Sequence, residues 1–256
     1  MAILQKNYRR KTMDNKEVII KQIIVITDGQ SNVGGNPVEV ARKAFKKNII
    51  VNTIGIMNQN QQEEKPLEEI VNIAEAGGGI YEYTYIDELH QTMQSITYKT
   101  VNKTIQEAVN KQLKEIIHQD INDMNPAARS KILHYIDTFS EEVALQTCIV
   151  MDASGSMAPK ILSARHSILD LMESLELRRG NCEIAVVIYP GEGGDYCQLI
   201  SGFGETVEDF ERKIAIIKAK GTTPTAPAID YAIQLIEGYN RIGLQKEPVE
   251  LEGAMG

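Results

Sequence analysis

The chain has 256 residues, of which 43% are hydrophobic and 24% are charged, a composition typical of a globular protein with a sizeable core. Its formal net charge of −8 argues against nucleic acid or an anionic membrane as a general partner. No apolar run approaches the length of a membrane span and the N-terminus lacks a signal-peptide core, so we expect a cytoplasmic protein. The length of the chain suits one large domain or two small ones.

Residues 1–96 begin with a polar stretch and then alternate between strands and helices. The first 20 residues are polar and locally basic, which predicts a solvated arm or a frayed helix rather than a functional basic patch. The apolar run 22–27 predicts a buried strand that ends in Asp28 and Gly29. The elements predicted after it are a helix starting at Pro37, a strand over 49–57, a loop over 58–65, a helix starting at Pro66, a strand over 80–85 and a helix opening at Asp87.

Residues 97–142 differ from the alternating pattern before them. Val101, Ile105 and Ile116 trace one apolar face of a helix whose other positions are polar. Pro126 starts a second helix after a turn. We interpret this segment as a helical connector that packs on the domain, and the alternative is a contact between two copies of the chain.

The next strand ends in a group of polar side chains. The run 143–151 predicts a strand that leads to Asp152, Ser154 and Ser156, and the apolar spacing of 160–177 predicts a helix directly after them. Open α/β sheets bind their ligands at such strand-to-helix loops. One carboxylate and two hydroxyls suit Mg²⁺ or Mn²⁺ and are poor zinc ligands. The alternative is that these residues only cap the helix.

The last part of the chain predicts a hairpin followed by two helices. A Gly-rich turn over 190–195 separates two strand-like runs closely enough to make them antiparallel. The predicted elements are strands over 183–189 and 196–203, a helix over 207–217, a turn containing Thr223-Pro224-Thr225, a helix over 228–235 and an irregular tail from residue 243.

The cysteines and histidines have no metal-ligand spacing. Cys148 and Cys182 lie in apolar, strand-like runs, so we interpret them as small buried side chains in a reducing cytoplasm. All four histidines lie far apart in segments predicted to be helical, namely His90, His118, His134 and His166. This distribution favours core or surface roles over a zinc site.

Three of these loops together resemble the metal-ion-dependent adhesion site of von Willebrand factor type A domains. That family has Asp-x-Ser-x-Ser after its first strand, a Thr before its third helix and an Asp, often Asp-Gly, after its fourth strand. The matching residues here are Asp152, Ser154, Ser156, Thr223 and Asp28. The resemblance implies that these five side chains bind Mg²⁺ or Mn²⁺, the serines directly and the others directly or through water.

The order of the motifs departs from the family, because the Asp28 strand precedes the Asp152 strand instead of following the Thr223 loop. Residues 22–96 resemble the family's second half and residues 143–240 its first half. The resemblance therefore implies a circularly permuted domain, of a stand-alone bacterial type, in which 97–142 joins the old termini. Permutation is physically tolerable because the termini of compact domains often lie close together.

The resemblance also implies the architecture. We expect one α/β domain spanning 1–256, with a Rossmann-like, three-layer α/β/α fold and a mostly parallel six-stranded sheet. The strand over 196–203 should be its antiparallel edge, and the strand before Asp28 should pair with the strand before Asp152. The sequence leaves open whether the two halves pair within one chain or are exchanged in a homodimer.

Two functions fit the cluster of polar loops. The first is a metal-dependent interaction module that binds an exposed Asp or Glu of a partner protein, with specificity from the surrounding loops 30–35, 58–65 and 157–160. The second is a metal-assisted hydrolase or phosphotransferase with Asp152 or Ser154 as nucleophile. Catalysis needs an activating base, and no His or Lys lies beside Asp152 or Asp28 except Lys160, four residues beyond Ser156. We therefore favour binding and expect no enzymatic activity.

Overall fold

A single six-stranded sheet forms the centre of the protein. This computed structural model describes residues 18–57, 68–215 and 217–244. The strands are β1 (Ile19–Thr27), β2 (Ile49–Met57), β3 (Gly78–Tyr85), β4 (Ala144–Asp152), β5 (Cys182–Tyr189) and β6 (Gln198–Ser201). They lie in the order β3-β2-β1-β4-β5-β6, and every pair is parallel except β5 with β6. The predicted mostly parallel sheet with one antiparallel edge is confirmed.

Strands β1 and β4 lie side by side at the middle of the sheet although they are far apart in sequence. Their register pairs Ile23 with Cys148 and Ile26 with Met151. These four side chains are completely buried, because both strands are apolar on both faces and need cover on each side. The predicted pairing of the Asp28 strand with the Asp152 strand is confirmed.

Seven helices lie in the described residues. They are α1 (Pro37–Lys46), α2 (Glu68–Ala76), α3 (Leu89–Ile117), α4 (Pro126–Ser140), α5 (Ile161–Glu176), α6 (Val207–Ile214) and α7 (Thr225–Leu244). The predicted starts at Pro37 and Pro126 are confirmed, and the preceding Asn36 and Asn125 cap the first turns. None of the described helices is long and apolar enough to cross a membrane. The predicted start at Pro66, the loop 58–65 and most of the N-terminal arm lie outside the described residues.

The helices cover both faces of the sheet, which gives the predicted three layers. On one face, α3 to α6 pack on a core that includes Ile149 and Met151 of β4. On the other face, α1, α2 and α7 pack on a core that includes Cys148 and Val150. Alternate residues of one strand thus enter opposite cores, as the pleat of a strand requires.

Several element boundaries differ from the sequence prediction, and three of the differences have a structural consequence. Helix α3 is continuous over Leu89–Ile117, so no break separates the connector from the helix before it. Its first half is held against the sheet by Val101 and Ile105, while Ile116 near its end is 72% exposed. Val101 and Ile105 of the connector thus pack in the core of the domain. Helix α7 starts at Thr225, three residues earlier than predicted. Pro227 is tolerated in the first turn, because the backbone N–H groups of a first turn have no partner within the helix and a proline there loses no hydrogen bond. Strand β6 is shorter than predicted.

Buried polar side chains join the sheet to α3. Gln22 Nε2 donates a hydrogen bond to Thr97 Oγ1 at 3.2 Å, and Asn52 Nδ2 donates to Gln22 Oε1 at 3.0 Å. Asn52 Oδ1 accepts from the Ile80 backbone N–H at 2.9 Å and from Thr100 Oγ1 at 3.0 Å. Asn52 is completely buried, so it connects β1, β2, β3 and α3 where no water can replace it.

Asn52→Ala should lower the free energy of unfolding by about 2–4 kcal/mol, because it leaves the Gln22 carbonyl and the Ile80 N–H without partners in a buried place. Urea unfolding followed by circular dichroism measures the change. Thr104→Ala is the control, since its hydroxyl bonds only to Thr100 O within α3, and it should cost less than about 1 kcal/mol. Equal losses for the two variants would contradict the structural role of Asn52.

Candidate metal centre

The polar cluster forms where β1 and β4 end. Asp152 is the last residue of β4, and Asp28 directly follows Thr27 at the end of β1. Ser154 N donates to Asp152 Oδ1 at 2.7 Å, the Ser154 and Ser156 hydroxyls lie 3.1 Å apart, and Ser156 Oγ donates to Asp28 Oδ1 at 2.6 Å. Four of the five predicted ligands thus form one continuous hydrogen-bonded chain across two neighbouring strand ends.

The loop after β4 is held rigidly by its backbone and by one apolar anchor. Ala153 N donates to Tyr189 O of the neighbouring strand at 2.7 Å. A short 3₁₀ turn over Gly155–Met157 follows, and Met157 is completely buried in the core. The buried side chain of Met157 therefore anchors the turn that carries Ser154, which is 3% exposed, and Ser156, which is exposed.

The loop that carries Thr223 docks on the other two loops. Lys220 N donates to Ala153 O at 2.8 Å. Thr223 N donates to Asn32 Oδ1 at 2.9 Å, and Asn32 N donates back to Thr223 O at 3.2 Å. Thr223 is 6% exposed. The structure therefore brings the third motif to the same edge of the sheet, through Asn32, which the sequence analysis placed only in a surrounding loop.

Asp152 is a buried carboxylate in a polar cage. The residue has no exposed surface, and burial raises the pKa of its carboxyl from 3.8 to about 6. The hydrogen bonds from Thr27 Oγ1, at 2.7 Å, and from Ser154 oppose this rise because they favour the charged form. The sequence analysis missed the contact of Thr27 with Asp152. The only feature that could have indicated it is that Thr27 is the last residue of the strand predicted to pair with the Asp152 strand.

Asp28 is paired with a lysine. Lys160 Nζ lies 2.7 Å from Asp28 Oδ2, and the side chains of Lys160 and Asp28 are only 10% and 1% exposed. The sequence analysis considered Lys160 as a neighbour of the Asp152 loop but did not pair it with Asp28. The position of Lys160, about one helical turn after Ser156, could have indicated the pairing, because Ser156 itself contacts Asp28.

The donor set fits a hard divalent cation. In the described part of the chain, no three His, Cys, Asp or Glu side chains come together as a metal-binding group, so an ion at this edge would depend on hydroxyl oxygens as well as the two carboxylates. Oxygen donors of this kind suit Mg²⁺ or Mn²⁺. A cation nearby would also stabilise the buried negative charge of Asp152, which is costly without a partner. The assignment of Asp28, Asp152, Ser154, Ser156 and Thr223 as ligands stays a prediction.

Comparisons with known proteins agree with the fold. The model of the von Willebrand factor type A domain matches residues 1–84. The uncharacterized protein YabS of Bacillus subtilis (strain 168) is 36% identical over 212 residues, which cover 82% of this chain and 86% of YabS. The crystal structure of an uncharacterized protein from Alicyclobacillus acidocaldarius subsp. acidocaldarius DSM 446 is 36% identical, with a TM-score of 0.81 over 88% of this chain and 97% of that one.

A mostly parallel sheet between two helical layers, with polar loops at one edge, defines an α/β domain of the von Willebrand type A class. The chain belongs to the von Willebrand factor type A family. Domains of this family commonly mediate metal-dependent protein interactions. The circular permutation stays a prediction. The matched residues 1–84 overlap the segment assigned to the family's second half.

In EDTA, Asp152→Asn should raise the free energy of unfolding by about 1–3 kcal/mol at pH 8, because it removes a buried charge whose pKa is raised by about two units. The amide fits, since its oxygen can accept from Ser154 N while the Thr27 hydroxyl turns to Gly29 O, 3.0 Å away.

The difference in the free energy of unfolding between Asp152→Asn and the parent should become smaller as the pH falls. A carboxyl whose pKa is higher in the folded state than in the unfolded state binds a proton more tightly when the protein is folded, so protonation stabilises the fold. The metal-free parent should therefore gain stability as the pH falls from about 7 to about 4. Urea unfolding at several pH values measures this. Asp170→Asn on the exposed side of α5 is the control, and a stability gap that does not change with pH would contradict the burial argument.

Proposed function

We propose that the protein is a metal-dependent protein-interaction module. Its loop cluster binds Mg²⁺ or Mn²⁺ and, through the ion, an acidic residue of a partner protein. The observation that carries the proposal is the hydrogen-bonded chain from Asp152 through Ser154 and Ser156 to Asp28, at the edge where two parallel strands end. Ligands of open α/β sheets bind at this edge.

The chemistry of the donors favours recognition of an anion. Two carboxylates, Asp28 and Asp152, balance the charge of a divalent ion, and the hydroxyls of Ser154, Ser156 and Thr223 are weak, neutral donors. The ion supplies a strong local positive charge when it is bound. An acidic side chain of a partner is the group that such a charge attracts most strongly, whereas the protein's own net charge of −8 provides no long-range attraction for anions.

The same side chains are poorly equipped for catalysis. In the described loops, the hydroxyls of Ser154 and Ser156 hydrogen-bond to each other and to Asp28, and none of these bonds involves a histidine. Lys160, the basic residue nearest in sequence, is paired with Asp28 and so is not free to activate a nucleophile. We therefore keep the hydrolase or phosphotransferase as the weaker alternative.

Exposed loops next to the cluster provide a surface for partner specificity. Asn32 and Val33 in the loop after β1 are exposed, as are Ala158 and Pro159 in the loop after β4. The backbone N–H of Ser31 is held by Glu69 Oε2 at 2.7 Å, which anchors the first of these loops to α2. We propose that the two loops select the partner while the ion binds its carboxylate. The third predicted loop, 58–65, lies outside the described residues.

Mg²⁺ or Mn²⁺ should raise the melting temperature of the protein, because an ion that binds the assembled loops and not the unfolded chain stabilises the fold. At an ion concentration 100 times the dissociation constant the gain is about 2.7 kcal/mol. Differential scanning fluorimetry with and without EDTA measures the shift. Asp152→Ala should abolish it and Ser156→Ala should reduce it, whereas Ser163→Ala on α5 should leave it unchanged. An equal shift in the parent and Asp152→Ala would remove the basis for this metal centre.

Partner binding should depend on the ion and on one acidic side chain. Affinity capture from the host lysate in Mg²⁺, with a parallel capture in EDTA, identifies candidates, and biolayer interferometry with the purified partner measures affinity. Binding should be lost in EDTA and with Thr223→Ala. It should also be lost when the one contacting carboxylate of the partner is replaced, since losing a desolvated charged contact costs about 2–5 kcal/mol. Full affinity in EDTA would contradict the proposed mechanism.

A further inference from the structure

Lys160 holds a position in the metal centre that the proposed interaction does not use. Its ammonium lies 2.7 Å from Asp28 Oδ2, and the two side chains are 10% and 1% exposed. Ser156 Oγ donates to the other oxygen of Asp28 at 2.6 Å. Both oxygens of a predicted metal ligand are therefore already engaged by groups of the protein.

We infer that the Lys160 ammonium forms an ion pair with the Asp28 carboxylate when no divalent ion is bound, and that this pair must break before the ion can bind Asp28. The inference rests on the proposed function, because it assumes that Asp28 is a ligand. It goes further by naming the residue that sets the affinity of the centre for metal.

The electrostatics of a buried carboxylate support this role. A carboxylate with almost no exposed surface needs a compensating charge, and Lys160 supplies it. The ammonium and a divalent ion are both cations, so they repel each other and compete for the same oxygens. Because like charges repel, an ammonium beside Asp28 should weaken the binding of a divalent ion there.

The backbone of Lys160 is fixed, while its side chain lies close to exposed residues. Lys160 N donates to Met157 O at 2.9 Å, and Lys160 O accepts from Ala164 N at 2.9 Å, at the start of α5. The preceding Ala158 and Pro159 are exposed. A flexible stem of four methylenes next to this open surface allows the ammonium to reach water when it is displaced.

Release of Lys160 would link metal binding to partner binding. The divalent ion brings two positive charges to Asp28 in place of the single charge of the ammonium, and that excess favours an acidic ligand. A partner's carboxylate therefore should strengthen metal binding, and by thermodynamic reciprocity the metal should strengthen partner binding by the same factor. In the absence of a partner, Lys160 keeps the affinity for the ion low.

Lys160→Met tests the inference, because it keeps the length of the side chain and removes its charge. Titration of the metal-free protein with Mn²⁺, followed by isothermal calorimetry and by the electron paramagnetic resonance signal of free Mn²⁺, gives the dissociation constant. We expect Lys160→Met to bind Mn²⁺ about 10-fold or more tightly than the parent, because the variant removes the repulsion between the two cations. In EDTA the same variant should melt at a lower temperature, because Asp28 loses its counter-ion.

Lys43→Met is the matched control, since it removes the same charge from a more exposed ion pair with Asp230 on α7 and should leave Mn²⁺ binding unchanged. Lys160→Gln replaces Lys160→Met if the methionine variant does not fold. Equal affinity of the parent and both Lys160 variants, with binding lost in Asp152→Ala, would overturn the inference and leave the proposed function intact. No Mn²⁺ binding by the parent or any variant would overturn both. Binding only after Lys160 is replaced would support the inference.

Discussion

The parallel pairing of β1 with β4 is the constraint on which the rest of the structure depends. Each strand is apolar on both faces, so neither can lie at an open edge or face water, and both need helices above and below. Once the two strands are neighbours in parallel, their carboxyl ends meet at the same edge of the sheet. Asp28 and Asp152 are thereby forced together, although they belong to opposite halves of the chain. The three-layer architecture and the polar cluster follow from one interaction.

The cluster concentrates charge in a place that the fold would otherwise keep apolar. Asp152 lies without exposed surface and its pKa is raised, so its charge costs folding free energy when no cation is present. The surrounding residues reduce that cost in different ways. Thr27 and Ser154 donate hydrogen bonds to Asp152, and Lys160 neutralises Asp28. Binding sites commonly retain such local conflicts, because the group that destabilises the empty protein is the group that attracts the ligand.

Much of the fold and of the candidate site was predictable because the signals are local. Apolar runs that end in Asp28 and Asp152 indicated buried strands, and the Asn-Pro pairs at Asn36 and Asn125 indicated helix starts, since capping needs only neighbouring residues. The errors lie where no local signal exists. Helix α3 runs through the predicted boundary at residue 97 because its apolar face packs continuously on the sheet before it extends beyond it. Packing on distant strands overrides a change in local composition.

The sequence by itself determined which residues are the candidates for metal binding. The short-range motifs Asp152-x-Ser154-x-Ser156, Asp28-Gly29 and Thr223 each follow or precede a recognisable element, and the spacing of residues along one chain fixes such motifs. Only the tertiary structure decided which of these groups are paired and how deeply they are buried. The contacts of Thr27 with Asp152, of Lys160 with Asp28 and of Asn32 with Thr223 each join residues more than 100 positions apart. Because a long-range contact depends on strand order and register, and not on the residues next to it in sequence, these pairs appear only when the chain is folded.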